Sequence, residues 1–183
     1  MDVLKHIEIK NCSIYDDGVL TLSFNEADDF TSFAKQLYKH LEINYPKFYK
    51  MSNMCKLGFL STEVLLRNFT ISEDDKSRFA LALACKSSSL NTDIEYQKSI
   101  DNVPSPALFV YTLPNIVSGE ICIRNGFKGE EIMLVQEQYD QEFMFQYVQM
   151  LFDEKRTDLC VTGFVDFDEN NIYFASLFLI SNK

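Results

Sequence analysis

The run Arg78–Cys85, RFALALAC, constrains the fold more than any other stretch of the chain. Past its first residue it has no polar side chain and no turn former. A strand with one face in water alternates apolar and polar residues, whereas a short run that is apolar at every position suits a strand covered on both faces. The rest of the chain must therefore supply helices for two sides of a sheet.

Helical patterns are present. Phe30, Phe33, Ala34, Leu37 and Leu41 recur at three- and four-residue spacing and predict a helix over 28–43. Pro46 starts a new element. Met51, Met54, Cys55, Gly58, Phe59, Thr62, Leu65 and Leu66 form a second stripe that ends near Asn68. Pro114 can sit in the first turn of a helix running to Arg124, which Gly126 and Gly129 then break. Gln141–Phe152 reads as a further helix, with Phe143, Phe145, Tyr147, Val148 and Leu151 among its apolar positions.

Strands are expected at 4–15 and 18–24, around the turn Asp16-Asp17-Gly18. Ala107–Tyr111 reads as a short strand and Ile132–Val135 as a buried one. Leu159–Phe167 and Ile172–Ile180 read as a closing pair joined at Asp168–Asn171. Thr70–Lys76 reads as a polar loop. Lys86–Pro106 reads as a polar connection with a helical turn near Asp93–Ile100. There is no internal repeat, linker or low-complexity segment. Alternating strands and helices followed by a hairpin predict an α/β fold in one domain over 1–183. Its sheet is expected to be mixed and mostly parallel, with helices packed on it and a C-terminal β-hairpin.

Composition removes several function classes. With 17 Lys and Arg against 27 Asp and Glu, the net charge of −10 argues against nucleic-acid binding, which needs clustered cations. At 46% hydrophobic with 16 Phe, the chain can build a core and is not a disordered segment. No stretch approaches the roughly 20 apolar residues of a membrane span. The opening MDVLKHIEIKNCS does not read as a secretory signal, so a cytoplasmic location is expected.

Cys12, Cys55, Cys85, Cys122 and Cys160 are widely spaced, and two of them lie inside apolar runs. They read as small buried hydrophobes. His6 and His40 pair with nothing in sequence, so no metal site and no cofactor are expected. Glu130, Glu131, Glu137, Asp140 and Glu142 read as acidic surface, with Glu137 partly buried. Lys35, Lys39, His40, Lys47, Lys50 and Lys56 form a local cation excess in an otherwise acidic chain.

The segment Pro104–Glu130, PSPALFVYTLPNIVSGEICIRNGFKGE, resembles the β-ketoacyl synthases of the thiolase superfamily. The resemblance rests on Ser105-Pro106, Asn115, Ser118-Gly119 and Gly126-Phe127-Lys128-Gly129. PKFYKMSNMCKLGFLSTEVLL (46–66) is similar to that family's basic, Met-containing helix entry. DLCVTGFVDF (158–167) is similar to the strand after its nucleophile helix. The resemblance implies a thiolase-like half fold. In it Gly119 would allow close helix packing, and Gly126 and Gly129 would take positive φ in a tight turn.

Where the family has its nucleophilic Cys, this sequence has Gln138, and the half that carries the family's catalytic histidines has no counterpart here. Condensation needs a thiolate and an imidazole, so the resemblance implies a catalytically silent chain with no catalytic residue of its own. Non-condensing relatives include chain-length factors, which pair with an active ketosynthase. On that reading the partner is a full-length ketosynthase or a second copy, in acyl-carrier-dependent fatty-acid or polyketide synthesis. Leu108, Phe109, Tyr111, Thr112, Leu113 and Asn115 then become acyl-tunnel or dimer-interface candidates. Lys47 and Lys50 become candidates for docking an acidic acyl carrier protein. A lone half is also expected to expose an apolar layer that a partner covers. Two alternatives stay open: a self-sufficient homodimeric acyl-binding or scaffold protein, and a weak acyltransferase or thioesterase using Cys122 or Cys160.

Overall fold

The computed structural model describes residues 1–182. The chain runs β1 (Asp2–Lys10), β2 (Ser13–Asp16), β3 (Val19–Ser23), α1 (Phe30–His40), a 3-10 turn (Pro46–Lys50), α2 (Asn53–Leu66) and α3 (Glu73–Arg78). It continues through β4 (Ala80–Cys85), α4 (Leu90–Ile100), α5 (Pro106–Val110), α6 (Ile116–Asn125), β5 (Glu131–Val135), α7 (Gln141–Asp153), β6 (Leu159–Phe167) and β7 (Tyr173–Ser181). All seven strands form one sheet in the order β3-β2-β1-β7-β6-β4-β5.

The apolar run behaves as expected. Every residue of β4 is buried, and β4 lies between two parallel neighbours, β5 and β6. Its alternation is one of size, not polarity. Leu81, Leu83 and Cys85 face a large core with α1, α2 and α6, whereas Ala80, Ala82 and Ala84 face α7. Small side chains on that second face leave room for one helix to lie close to the sheet.

The sheet is mixed, with helices on both sides and a β6–β7 hairpin, but its parallel share is smaller than expected. Only β4–β5 and β4–β6 are parallel, and the other four pairings are antiparallel. The reason is long-range: β1 inserts beside β7, so the N-terminal meander joins the sheet antiparallel. The expected first strand is also two strands. Asn11 and Cys12 both take positive φ (49° and 54°), and the turn they make separates β1 from β2.

Three further expectations are corrected. Residues 107–111 are not a strand. Ser105 caps α5 by accepting a hydrogen bond from the Leu108 N–H, and Pro106 occupies the first turn. Residues 73–78 form a short helix capped by Ser72, not a loop. Strand β5 is a sheet edge with exposed ends at Glu131 and Val135, not a buried strand.

The glycines also divide differently. Gly126 has φ 73° and ends α6, as expected. Gly129 does not take positive φ; a Cβ there would lie 2.5 Å from the Phe79 carbonyl oxygen, so it permits a close backbone approach. Gly119 has open space around it. The glycine that lets helices approach is Gly58 of α2, where a Cβ would stand 2.4 Å from Val117 Cγ1 of α6. No helix among the described residues is long and apolar enough to cross a membrane.

Candidate functional site

Helices α4 and α5, with the turn after them, form an arm on the body of the protein. The segment has few internal anchors. Thr92 is the only buried residue of α4, and α5 has none. Tyr96 and Phe109 bring the two helices together with ring centroids 5.4 Å apart, and Ser99 Oγ accepts the Ser105 N–H. Ser89 Oγ donates to the Thr112 carbonyl at 2.6 Å and ties the arm's two ends. Seven of the nineteen exposed large apolar side chains lie here: Leu90, Ile94, Ile100, Val103, Phe109, Val110 and Leu113. Phe109 is 59% exposed and Leu113 57%. A concentration of this kind marks a contact surface more often than single scattered residues do.

Of the interface candidates, Phe109, Leu113 and Asn115 are exposed and Leu108 and Thr112 half-buried. Tyr111 is buried and belongs to a different feature. Its hydroxyl donates to Glu120 Oε1 at 3.2 Å, and Lys47 Nζ stands 2.6 Å from the same oxygen. Glu120 is 4% exposed, and its second oxygen, Oε2, is buried with no hydrogen-bond partner among the described residues. Helical periodicity explains how a carboxylate came to be inside. Glu120 follows Val117 by three residues and precedes Ile121 by one, on the buried stripe of α6. That stripe is the signal of its burial that the sequence carries. The hydrogen bond to Glu120 raises the Lys47 pKa above the ordinary lysine value. Burial, with the Glu120 charge, pushes the Tyr111 phenol up.

Some cations of the second candidate group are neighbours: Lys35 acts on Lys56, and Lys47 and Lys56 both act on Cys55. Lys35 and Lys39 lie on α1, Lys47 and Lys50 on the 3-10 turn, and Lys56 on the first turns of α2. Burial lowers the Lys56 pKa; Glu95 opposes this, and the nearby Lys35 adds to it. Lys35, Lys39 and Lys50 are exposed and have no ion-pair partner among the described residues. His40, at the end of α1, turns away: its ring meets Phe24 edge-on, and it lines a different cleft with Lys5 and Arg67. The two docking candidates are thus unequal, since Lys50 is free and Lys47 is committed to Glu120.

Gln138 is exposed in the loop between β5 and α7, two residues before Asp140, which caps α7 through the Phe143 N–H. Glu137 is exposed, not partly buried. With Leu134, Val135, Asp140 and Phe143 they line an open groove of about 420 Å³ at the sheet edge. The thiols are placed as inert groups. Burial pushes Cys122 up to about 12, with Glu131 adding to it, and burial pushes Cys160 up as well. No cation or imidazole is among the causes acting on either, so neither has the electropositive setting of a reactive thiol.

No protein-family model matches the chain, and no curated protein matches it in sequence. Solved structures do match its fold. A chain of the ishigamide ketosynthase/chain length factor aligns over 98% of this protein and 61% of its own length, at TM-score 0.67 and 13% identity. A chain from the ketosynthase ApeO in complex with its chain length factor ApeC, from Xenorhabdus doucetiae, aligns over 100% of this protein and 79% of its own length, at TM-score 0.68 and 12% identity. A chain of AntDE:AntF aligns over 98% and 62%, at TM-score 0.64 and 12% identity; that structure is described as a type II PKS acyl-carrier protein with its ketosynthase. The protein thus has a ketosynthase-like, thiolase-type half fold and spans less than two thirds of two of these three chains.

Proposed function

We propose that this protein is a catalytically silent ketosynthase-like subunit of an acyl-carrier-dependent fatty-acid or polyketide system. It pairs with an active ketosynthase and contributes the α4–α5 arm to the wall of that partner's acyl tunnel. The observation that carries the reading is the apolar arm, with Leu108, Phe109, Leu113 and Asn115 on or beside it and exposed apolar residues along its length. Two features support it. The place where a condensing enzyme needs a thiolate holds the amide of Gln138, and Cys122 and Cys160 lack activating neighbours. The unpaired edge of β5, beside exposed Val135 and Phe143, offers a second contact to the same partner. Lys50 and its neighbours on α1 and α2 supply complementary charge for an acidic carrier protein.

Co-expression with ketosynthases from the same cell, followed by size-exclusion chromatography, tests the reading. The expected result is a complex at equal amounts of the two chains. Phe109→Asp, on α5 of the arm, weakens it by at least about tenfold, as expected of a central apolar anchor. Ile172→Asp, equally exposed but at the β6–β7 turn, leaves it unchanged. A stable homodimer that ignores every ketosynthase overturns the reading in favour of a self-sufficient acyl-binding or scaffold protein.

A further inference from the structure

An ion pair ties Lys47 of the basic patch to Glu120 of α6, and Tyr111, at the end of α5, hydrogen-bonds to the same carboxylate. Glu120 Oε1 receives both Lys47 and Tyr111, while the buried Oε2 receives nothing. The lysine side chain is 46% exposed and the glutamate side chain 5%. The cation therefore reaches the surface and the anion does not. Removing one member of such a pair strands the other in a medium that cannot solvate it. Glu120 can regain water if its cover moves. Part of that cover is Tyr111, the residue that ends α5, and α5 buries none of its own residues. Helix α6 itself is far less free to move, because Val117 is wedged against Gly58.

We propose that Lys47 is a switch residue shared by two carboxylates: Glu120, and an acidic group on a partner docking at the lysine patch. When the partner's carboxylate takes Lys47, the bond to Glu120 is lost. Tyr111 and α5 lift from the body, and Glu120 reaches water. Lys50, which has no internal partner, makes the first contact and does not throw the switch. The proposal rests on the docking reading above and adds to it that docking changes the arm, so carrier engagement and the tunnel wall are coupled.

Hydrogen–deuterium exchange on the whole chain tests it, read in peptides covering 105–113, with β4 and β6 peptides as the control for global unfolding. Lys47→Met is expected to speed arm exchange by about tenfold or more while β4 and β6 stay protected. Adding Glu120→Gln to Lys47→Met removes the stranded charge and is expected to bring the rate back toward the wild-type value. In the free protein, Lys50→Met is expected to leave arm exchange unchanged, because Lys50 has no ion-pair partner among the described residues. An unchanged arm in Lys47→Met, or a double variant faster than the single, overturns the clamp.

Short poly-L-glutamate, with binding followed by calorimetry, serves as the acidic probe. At saturation it is expected to speed arm exchange in the wild type but not in the double variant. Binding without faster exchange overturns the switch and leaves the docking patch standing. Absence of binding overturns the docking reading and the partner half of the switch, while the variant series still decides the clamp.

Discussion

The two faces of the sheet are finished in different ways. One face is covered by α1, α2 and α6 and packs Ile7, Ile9, Leu81, Leu83, Val161, Val165, Leu177 and Leu179 into the larger core. The buried hydroxyls of α2 there are satisfied within the helix, Ser61 by the Leu57 carbonyl and Thr62 by the Gly58 carbonyl. The other face has one helix, α7, over Ala80, Ala82, Ala84, Cys160, Phe178 and Ile180. Thr162 Oγ1 and the Tyr139 hydroxyl are buried on that side without partners among the described residues. Beyond α7, the face of β1 and β7 carries polar pairs beside exposed Val3, which lies opposite Ile180. His6 Nε2 lies 2.9 Å from Ser176 Oγ, Lys10 pairs with Glu8, and Lys10 also sits over the Tyr15 and Phe174 rings. The apolar layer expected of a lone half is thus interrupted by polar pairs on this face. The largest group of exposed apolar side chains lies on the arm.

The largest effect should come from cutting the fully covered face. Phe59 is 1% exposed and packs against Tyr45 and Phe48, so Phe59→Ala is expected to cost about 3–5 kcal/mol. Leu151 of α7 is equally buried, but it sits under a single helix that can settle into the space left behind. Leu151→Ala is therefore expected near the low end for such a change, about 2 kcal/mol. Urea melts of the two variants decide the point, and equal costs would break the distinction between the faces.

Part of this difference could be read from the sequence. The periodicity of α1, α2 and α7 and the unbroken apolarity of β4 come from local burial, and local patterns survive in a sequence. The Leu/Ala alternation inside RFALALAC even carried the asymmetry of the two faces, although the run was read only as apolar. Other features were hidden for physical reasons. PALFV has the composition of a strand, and only the Ser105 cap and Pro106 mark it as a helix. Asn11 tolerates positive φ but Cys12 has no turn preference, so the turn after β1 carries only a weak signal. The β1–β7 pairing, and the ion pair from Lys47 to Glu120, link residues far apart in the chain. Nothing local encodes either one, and so one of the two lysines expected at a docking surface, Lys47, is held internally.

A smaller effect sharpens the comparison through the thiols. Cys55 lies in the large core and Cys160 under α7, and burial raises both above the ordinary thiol value. Both are therefore protonated and shielded in the folded protein, and alkylation reports opening and little else. Iodoacetamide at pH 8 in sub-denaturing urea is expected to label Cys160 about tenfold faster than Cys55, because lifting one helix exposes the first while the second needs the core to open. Mass spectrometry of the labelled peptides measures the ratio. Equal rates would mean that the two faces unfold as one unit.

The smallest effect concerns the polar rim and tests whether it is a finish or a core. Ser176 is 5% exposed, and its hydroxyl meets the His6 ring, which stacks on Phe178 at 4.1 Å. Ser176→Ala removes one neutral hydrogen bond and leaves the stack in place. The His6 nitrogen it frees lies on a half-exposed residue where water can replace the hydroxyl, so the cost should be about 1 kcal/mol or less. A cost several times larger would mean that water cannot reach His6. The rim would then be as closed as the large core, and the second face would be as finished as the first. A small cost leaves the asymmetry intact: one face is closed by packing, the other by groups that remain content in water, and the largest group of exposed apolar side chains lies on the arm.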